Sequence, residues 1–269
     1  MESVAKPVAH ELIGTELVRD WIPADKPRAT FVLVHGLAEH SGRYERTGSL
    51  LSNAGSHVRS FDLIGAGASG GDRWDIDDWG RYHDQIRTHV EWAREQRRPV
   101  VLMGHSLGGN LVLGYVTGDR PPPDLVVVSA PALGGGAAWQ RAVAPFIAKI
   151  APTLSLPNNV DGEHLSRDPA VAEAYFADPL VHIRSTTRLG ASLFKAMDDV
   201  TESCSGLDVP TLVLHGGMDS LVPPQSTAFL GSLPGVERKL YPKLRHEILN
   251  EPEGPQVVAD IIEWVDARI

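Results

Sequence analysis

Short apolar runs alternate with amphipathic segments along the first half of the chain. Thr30–His35 (TFVLVH), His57–Asp62 (HVRSFD), Val100–Gly104 (VVLMG) and Leu125–Ser129 (LVVVS) are brief and mostly apolar. Such runs suit parallel strands covered on both faces, where neither side has to be polar. Between the second and third runs, Trp79, Tyr82, His83, Ile86, Val90 and Ala93 recur at helical spacing. Strands alternating with helices predict an α/β fold: a mostly parallel central sheet flanked by helices.

The alternation lapses over 132–201, which holds Gly134–Gly136, several prolines and helical patterns but no clear strand run. It resumes with Thr211–His215 (TLVLH) and Arg238–Tyr241 (RKLY), and a last helix opens at Pro255. In that helix Val257, Val258, Ile261, Ile262 and Val265 share one face. The expected organisation is a core of residues 1–131 and 202–269 interrupted by a helical cap, 132–201. The cap would sit over the carboxyl ends of the strands, where open α/β sheets bind ligands.

Composition narrows the function classes. A chain of 269 residues can bury one large core, or a core and a small insertion. Its net charge of −9 argues against nucleic acid and anionic headgroups as main partners, since both reward clustered Lys and Arg. A neutral lipid stays open. Cys204 is the only cysteine, so no disulfide forms within the chain and no metal site is built on several thiolates. The eleven histidines show no HExxH spacing, and no metal or organic cofactor is expected. Met1–His10 carries charges without an apolar block, so no secretory signal is expected there. No stretch approaches the ~18–20 consecutive apolar residues of a membrane span. The expected location is the cytoplasm, with peripheral membrane association left open.

Gly104-His105-Ser106-Leu107-Gly108 fits the pattern GxSxG. The strand VVLMG runs into it and the helix-like NLVLGYV leaves it, the context of a nucleophile elbow. A serine lifted above a sheet needs a sharp, strained turn, and side chains at 104 and 108 would collide across it. Gly67-Ala68-Ser69-Gly70-Gly71 also satisfies the pattern, but the polar GDRWDIDD follows it and no apolar helix face begins there. Ser69 therefore reads as a loop residue and Ser106 as the candidate nucleophile.

A serine hydroxyl attacks only when a base takes its proton. In this class of fold the order is nucleophile, acid, histidine. Asp219 follows the strand TLVLH, and His246 follows RKLY, so these are the candidate acid and base. His105 adjoins the serine but is expected to point elsewhere from the elbow; His35 and His40 precede the nucleophile. His215 reads as a packed, hydrogen-bonded histidine, and Asp208 and Glu247 are fallback acids. The oxyanion formed on attack needs pre-aimed donors, for which the backbone N–H groups of Leu107 and Leu37 are the candidates.

Five strings resemble the monoacylglycerol lipases and their lysophospholipase-like relatives, a branch of the α/β-hydrolases. They are HGLAEHSGRY at 35–44, FDLIGAGASGG at 61–71, GHSLGG at 104–109, LHGGMDSLVP at 214–223 and HEILNE at 246–251. The segment LSRDPAVAEAYFADPLVH at 165–182 resembles that family's return from cap to core. The resemblance implies the α/β-hydrolase fold and places nucleophile, acid and base on Ser106, Asp219 and His246, with oxyanion donors on Leu37 and Leu107. It also implies hydrolysis of monoacylglycerol to fatty acid and glycerol. One departure stands out: relatives usually carry Gly-His-Gly where this chain has Gly65-Ala66-Gly67.

In the cap, Trp139, Val143, Phe146, Ile147, Ile150 and Leu154 form one helical stripe interrupted by Pro145. It can pack the cap onto the core, line an acyl tunnel, or touch a membrane surface. Rival readings are a lysophospholipase, carboxylesterase or amidase on the same scaffold, and a non-catalytic binding protein.

Overall fold

A computed structural model of the chain describes residues 9–158 and 160–269. The reading of Met1–His10 as lacking a signal falls largely outside them. The strands are β1 (Ala9–Ile13), β2 (Glu16–Trp21), β3 (Ala29–Val34), β4 (Ser56–Phe61), β5 (Val100–His105), β6 (Leu125–Ser129), β7 (Ser155–Pro157), β8 (Arg184–Thr186), β9 (Thr211–Gly216) and β10 (Val236–Tyr241). The helices are α1 (Glu45–Asn53), α2 (Gly80–Glu95), α3 (Leu107–Val116), α4 (Ala138–Ile150), α5 (Pro169–Ala177), α6 (Thr187–Ser203) and α7 (Gly254–Asp266).

Eight strands form the main sheet in the order β1-β2-β4-β3-β5-β6-β9-β10. All pairings from β4 to β10 are parallel; β1 and β2 form an antiparallel hairpin on its edge. Side chains alternate across each strand. Val32, Val34, Leu102, Val126 and Val128 pack with residues of α2, α3 and α6, whereas Phe31, Leu33, Val101, Met103 and Val127 pack with α1 and α7. Burial on both faces is why these strands read as continuous apolar runs.

The chain passes from β3 outward to β4, then returns to lay β5 on the other side of β3. That reversal opens a crevice at the carboxyl ends of β3 and β5. Val34 pairs with Gly104 across it, so the turn after β3 and the turn after β5 lie side by side. The Gly36-Leu37 turn and Ser106 are brought together in this way.

Residues between β6 and β9 hold α4, α5, α6 and the two-stranded ribbon β7–β8, which lies outside the main sheet. No strand is expected there from sequence, because each ribbon strand has only three residues, too few for a pattern. Helix α6 packs against α3 through Leu189, Leu193, Met197 and Val200, joining the segment to the core. Helix α4 has no buried residue.

Candidate active site

Ser106 stands between β5 and α3 with φ +53 and ψ −117, a conformation side-chain-bearing residues seldom adopt. A Cβ on Gly104 would lie 2.4 Å from the Gly108 carbonyl oxygen, the collision across the turn expected from sequence. A Cβ on Gly108 would instead meet the carbonyl oxygens of Val34 and His35, at 2.2 and 2.5 Å. The first glycine closes the elbow, and the second lets α3 lie against the end of β3.

Asp219 and His246 are brought together in the loops after β9 and β10. His246 Nδ1 donates to Asp219 Oδ2 at 2.7 Å, which leaves its Nε2 as the acceptor. Asp219 Oδ1 accepts the N–H groups of Leu221 and Val222, each at 2.9 Å, and His215 Nε2 donates to Oδ2 at 3.2 Å. Burial alone would raise the Asp219 pKa, but the His246 charge and these donors hold it well below the carboxylate range. Burial likewise opposes the charged form of His246, and Asp219 outweighs it, so the imidazole pKa is raised. Ser106 and His246 line the same cavity without a hydrogen bond between them among the described residues. Contacts of that kind commonly tighten on substrate binding.

Leu107 is the first residue of α3, so its N–H has no partner within the helix, and the positive end of the helix dipole lies there. The Leu37 N–H makes no hydrogen bond among the described residues, whereas the neighbouring Gly36 N–H is taken by Glu39 Oε1 at 2.5 Å. Leu37 and Leu107 both line the cavity with Ser106.

The other polar residues weighed from sequence are occupied. The Ser69 hydroxyl accepts from the Leu17 N–H and donates to the Asp62 carbonyl. His35 accepts from the Leu63 N–H through Nε2 and donates to its neighbour Gly36 O through Nδ1. His40 Nε2 donates to Asp178 Oδ2 at 2.9 Å. Asp208 is exposed, and Glu247 is committed to Arg43 by two bonds of 2.6 and 2.8 Å.

His105 departs from expectation. Its ring does not turn away but lies 4.7 Å from that of His246, while Nδ1 donates to the Ser129 carbonyl. Burial and the His246 charge depress its pKa to about 4, so it packs against His246 as a neutral ring.

In the buried charged cluster beside the site only Glu247 was weighed from sequence, as a fallback acid. Glu39 accepts the Gly36 N–H, the Tyr44 hydroxyl at 2.7 Å and Arg43 at 2.9 Å. Arg43 thus bridges two buried carboxylates, Glu39 and Glu247, with Tyr175 over its guanidinium at 4.8 Å. Burial would raise the Glu39 pKa, but the Arg43 charge holds it at about 2. The spacing of Glu39 and Arg43, four residues apart, is the available signal; it reads as a solvated pair until the fold buries it.

The loop bearing His246 is stitched to residues 164–167 of the inserted segment. The Glu247 N–H donates to Leu165 O at 2.8 Å. Fully buried Glu251 accepts the backbone N–H groups of Arg245 and Arg167, at 2.7 and 3.1 Å.

The cavity that Ser106 and His246 line measures about 350 Å³, within the range of small-molecule sites. Glu39, Glu247 and the two histidines stand toward one part of its wall, and Leu107, Leu193, Phe194, Met197 and Val222 supply apolar surface. Of the α4 stripe, Trp139, Val143 and Ile147 line a second cavity, and Trp139, Phe146 and Ile150 are more than half exposed.

Residues 25–253 match the family Hydrolase_4, described as serine aminopeptidase, S33. The chain is 36% identical to a monoacylglycerol lipase of Mycolicibacterium smegmatis over 271 residues, covering 95% of each protein. It is 31% identical to phospholipase YtpA of Bacillus subtilis, covering 91% of this chain and 98% of that protein. Among solved structures, a monoacylglycerol lipase of Paleococcus ferrophilus matches with a TM-score of 0.84 and 31% identity, covering 98% of this chain and 100% of that one.

Proposed function

This chain belongs to the Hydrolase_4 family (serine aminopeptidase, S33), and on that premise we propose that it hydrolyses monoacylglycerol to fatty acid and glycerol. The fold is that of the α/β-hydrolases, and the chain is a hydrolase acting on esters. The observation that carries the substrate reading is the 36% identity, over 95% of both chains, to a relative named monoacylglycerol lipase. A cavity that offers both polar and apolar wall around Ser106 suits a substrate with a polar head and a greasy tail.

In the proposed mechanism His246 Nε2 takes the proton from Ser106 as Oγ attacks the ester carbonyl. Asp219 fixes the imidazole tautomer and stabilises the imidazolium. The Leu37 and Leu107 N–H groups receive the oxyanion, a contribution for which one donor typically counts ~10²–10³ in rate. Glycerol leaves with the proton from His246. Water, activated by the same base, then attacks the acyl-enzyme and frees the fatty acid. No step calls on a metal or an organic cofactor.

Residues 132–201 act as the cap in this reading, and the exposed Trp139, Phe146 and Ile150 of α4 give it a face for peripheral contact with a lipid surface. No helix among the described residues is long and apolar enough to cross a membrane.

The pH dependence follows from the raised pKa of His246. Only the neutral imidazole serves as base, so kcat/KM rises with pH through an inflection above the ordinary histidine value of ~6.5. Asp219→Asn removes the carboxylate that favours imidazolium. The inflection then moves down, and kcat falls by about 10⁴-fold. A pH–rate profile of both proteins checks this; an unmoved inflection in the variant contradicts the role of Asp219.

Substrate class is tested by fatty-acid release from monoacylglycerol against di- and triacylglycerol and lysophospholipid, with Ser106→Ala as blank. The proposal expects monoacylglycerol to be cleaved with the highest kcat/KM. Faster turnover of lysophospholipid favours the phospholipase reading suggested by the Bacillus subtilis relative.

A further inference from the structure

A second cavity of about 220 Å³ lies between α4 and α6, beside the ribbon β7–β8. It is lined by apolar surface from Val143, Ile147 and Leu156 and by the bare backbone of Gly190. Three residues belong to the walls of both this cavity and the reaction cavity: Gln140, Pro157 and Phe194. Two of these are tied in place. Gln140 Oε1 accepts the Ala137 N–H at 2.8 Å, and Pro157 lies in β7, paired with Arg184 of β8. The Phe194 ring has no such tether. It rests against Gly136, where a Cβ would lie 2.7 Å from its Cε1, with the Arg141 guanidinium 5.5 Å from its centroid.

We propose that Phe194 is the partition that sets acyl-chain length, and that the second cavity receives the distal carbons of a long chain whose ester lies at Ser106. The shared wall identifies the occupant: Leu193 and Met197 of α6 line the reaction cavity together with Phe194, and Val143, Ile147 and Leu156 line the second, apolar surface that suits a hydrocarbon tail. With Phe194 in place the chain ends in the first cavity; rotation or removal of the ring joins the two. At about 220 Å³ the second cavity adds room for several further carbons. Each methylene transferred there favours binding by roughly fourfold, the ordinary transfer value for one CH₂.

This inference rests on the reading of Ser106 as the residue that carries the acyl group. Its test uses p-nitrophenyl esters from butanoate to palmitate, which report acyl length whatever alcohol the enzyme releases naturally. The readout is the ratio of kcat/KM for palmitate to that for butanoate. Phe194→Ala should raise the ratio by about tenfold or more, the effect of two or more additional methylenes accommodated. Gly190→Leu provides the opposite arm: a Cβ at Gly190 meets nothing within 4 Å, so the new side chain fills the second cavity. Leucine also favours the helix over glycine, so folding is not at risk. Combined with Phe194→Ala, Gly190→Leu should bring the raised ratio back to about the wild-type value. A ratio that Phe194→Ala does not raise, or that stays raised in the combined variant, overturns the proposal. Absence of any ester hydrolysis by the wild type would instead overturn the hydrolase mechanism itself.

Discussion

Ser106→Ala is expected to lower kcat for ester hydrolysis by about 10⁶-fold, leaving the ~10³–10⁴ over water that binding and oxyanion donors supply. The large effect follows from the position of the residue. Ser106 holds φ +53 at the elbow between β5 and α3, a strain the surrounding bonds maintain through Ser106 N–H to Ser129 O and Ala132 N–H to Ser106 O. Alanine keeps the backbone and its bonds, so the loss should fall on chemistry. Near-wild-type KM and Tm should accompany it. In the proposed mechanism His246 and Asp219 act as a unit with the serine, so Ser106→Ala combined with His246→Ala should lose little more than Ser106→Ala alone. Additive losses in the double variant would mean that the residues do not share a step.

Arg43→Met is expected to cost about 3–5 kcal/mol of stability, because it leaves buried carboxylates without their cation. Glu39 and Glu247 are each about 5% exposed, and Arg43 is the guanidinium that bridges them. For a chain of this size that loss lowers Tm by roughly 10 °C. The pH dependence separates unpaired charge from lost packing. In the wild type Glu39 is held at about 2, so it contributes stability that is in place above its unfolded value of ~4.3 and fades as pH falls toward the folded value. Without Arg43 burial pushes the Glu39 carboxyl up, so the variant's deficit shrinks on acidification, where protonation removes the uncompensated charge. Thermal melts of both proteins across the acid range measure this directly. A deficit that is constant with pH would point to lost packing alone. Activity should fall too, because Glu39 holds the Gly36 N–H beside Leu37.

The parallel strands were legible because burial on both faces writes continuous apolar runs, as in TFVLVH and VVLMG. The elbow was legible because Gly104 answers a steric demand set within the turn itself, whereas the demand on Gly108 comes from the end of β3. The β1–β2 hairpin was less so: β1 is exposed from His10 to Ile13, and only Leu17, Val18 and Trp21 of β2 are buried, too few for a firm period. Helix α1 carries Gly48 where the Trp21 indole packs against the backbone, a tertiary contact that interrupts its helical signature. Charge was the hardest feature to place. Nothing in the sequence marks Glu39, Arg43, Glu247 and Glu251 as buried, since burial of a charge can be decided by groups more than two hundred positions away, as with Arg43 and Glu247. The orientation of His105 had no sequence signal either. It is set by the Ser129 carbonyl on the adjacent strand and by the loop that brings His246 over it. The Gly65-Ala66-Gly67 departure is absorbed locally: Ala66 is fully buried and its N–H donates to Leu63 O.

The central claim is that Ser106 is the residue that becomes acylated, activated by His246 and Asp219. Labelling with a fluorophosphonate probe, followed by mass mapping of the modified peptide, tests it most directly. The account predicts one adduct per chain, on Ser106, formed far more slowly in His246→Ala and absent from Ser106→Ala. An unlabelled wild type, or equal labelling of Ser106→Ala, would contradict it.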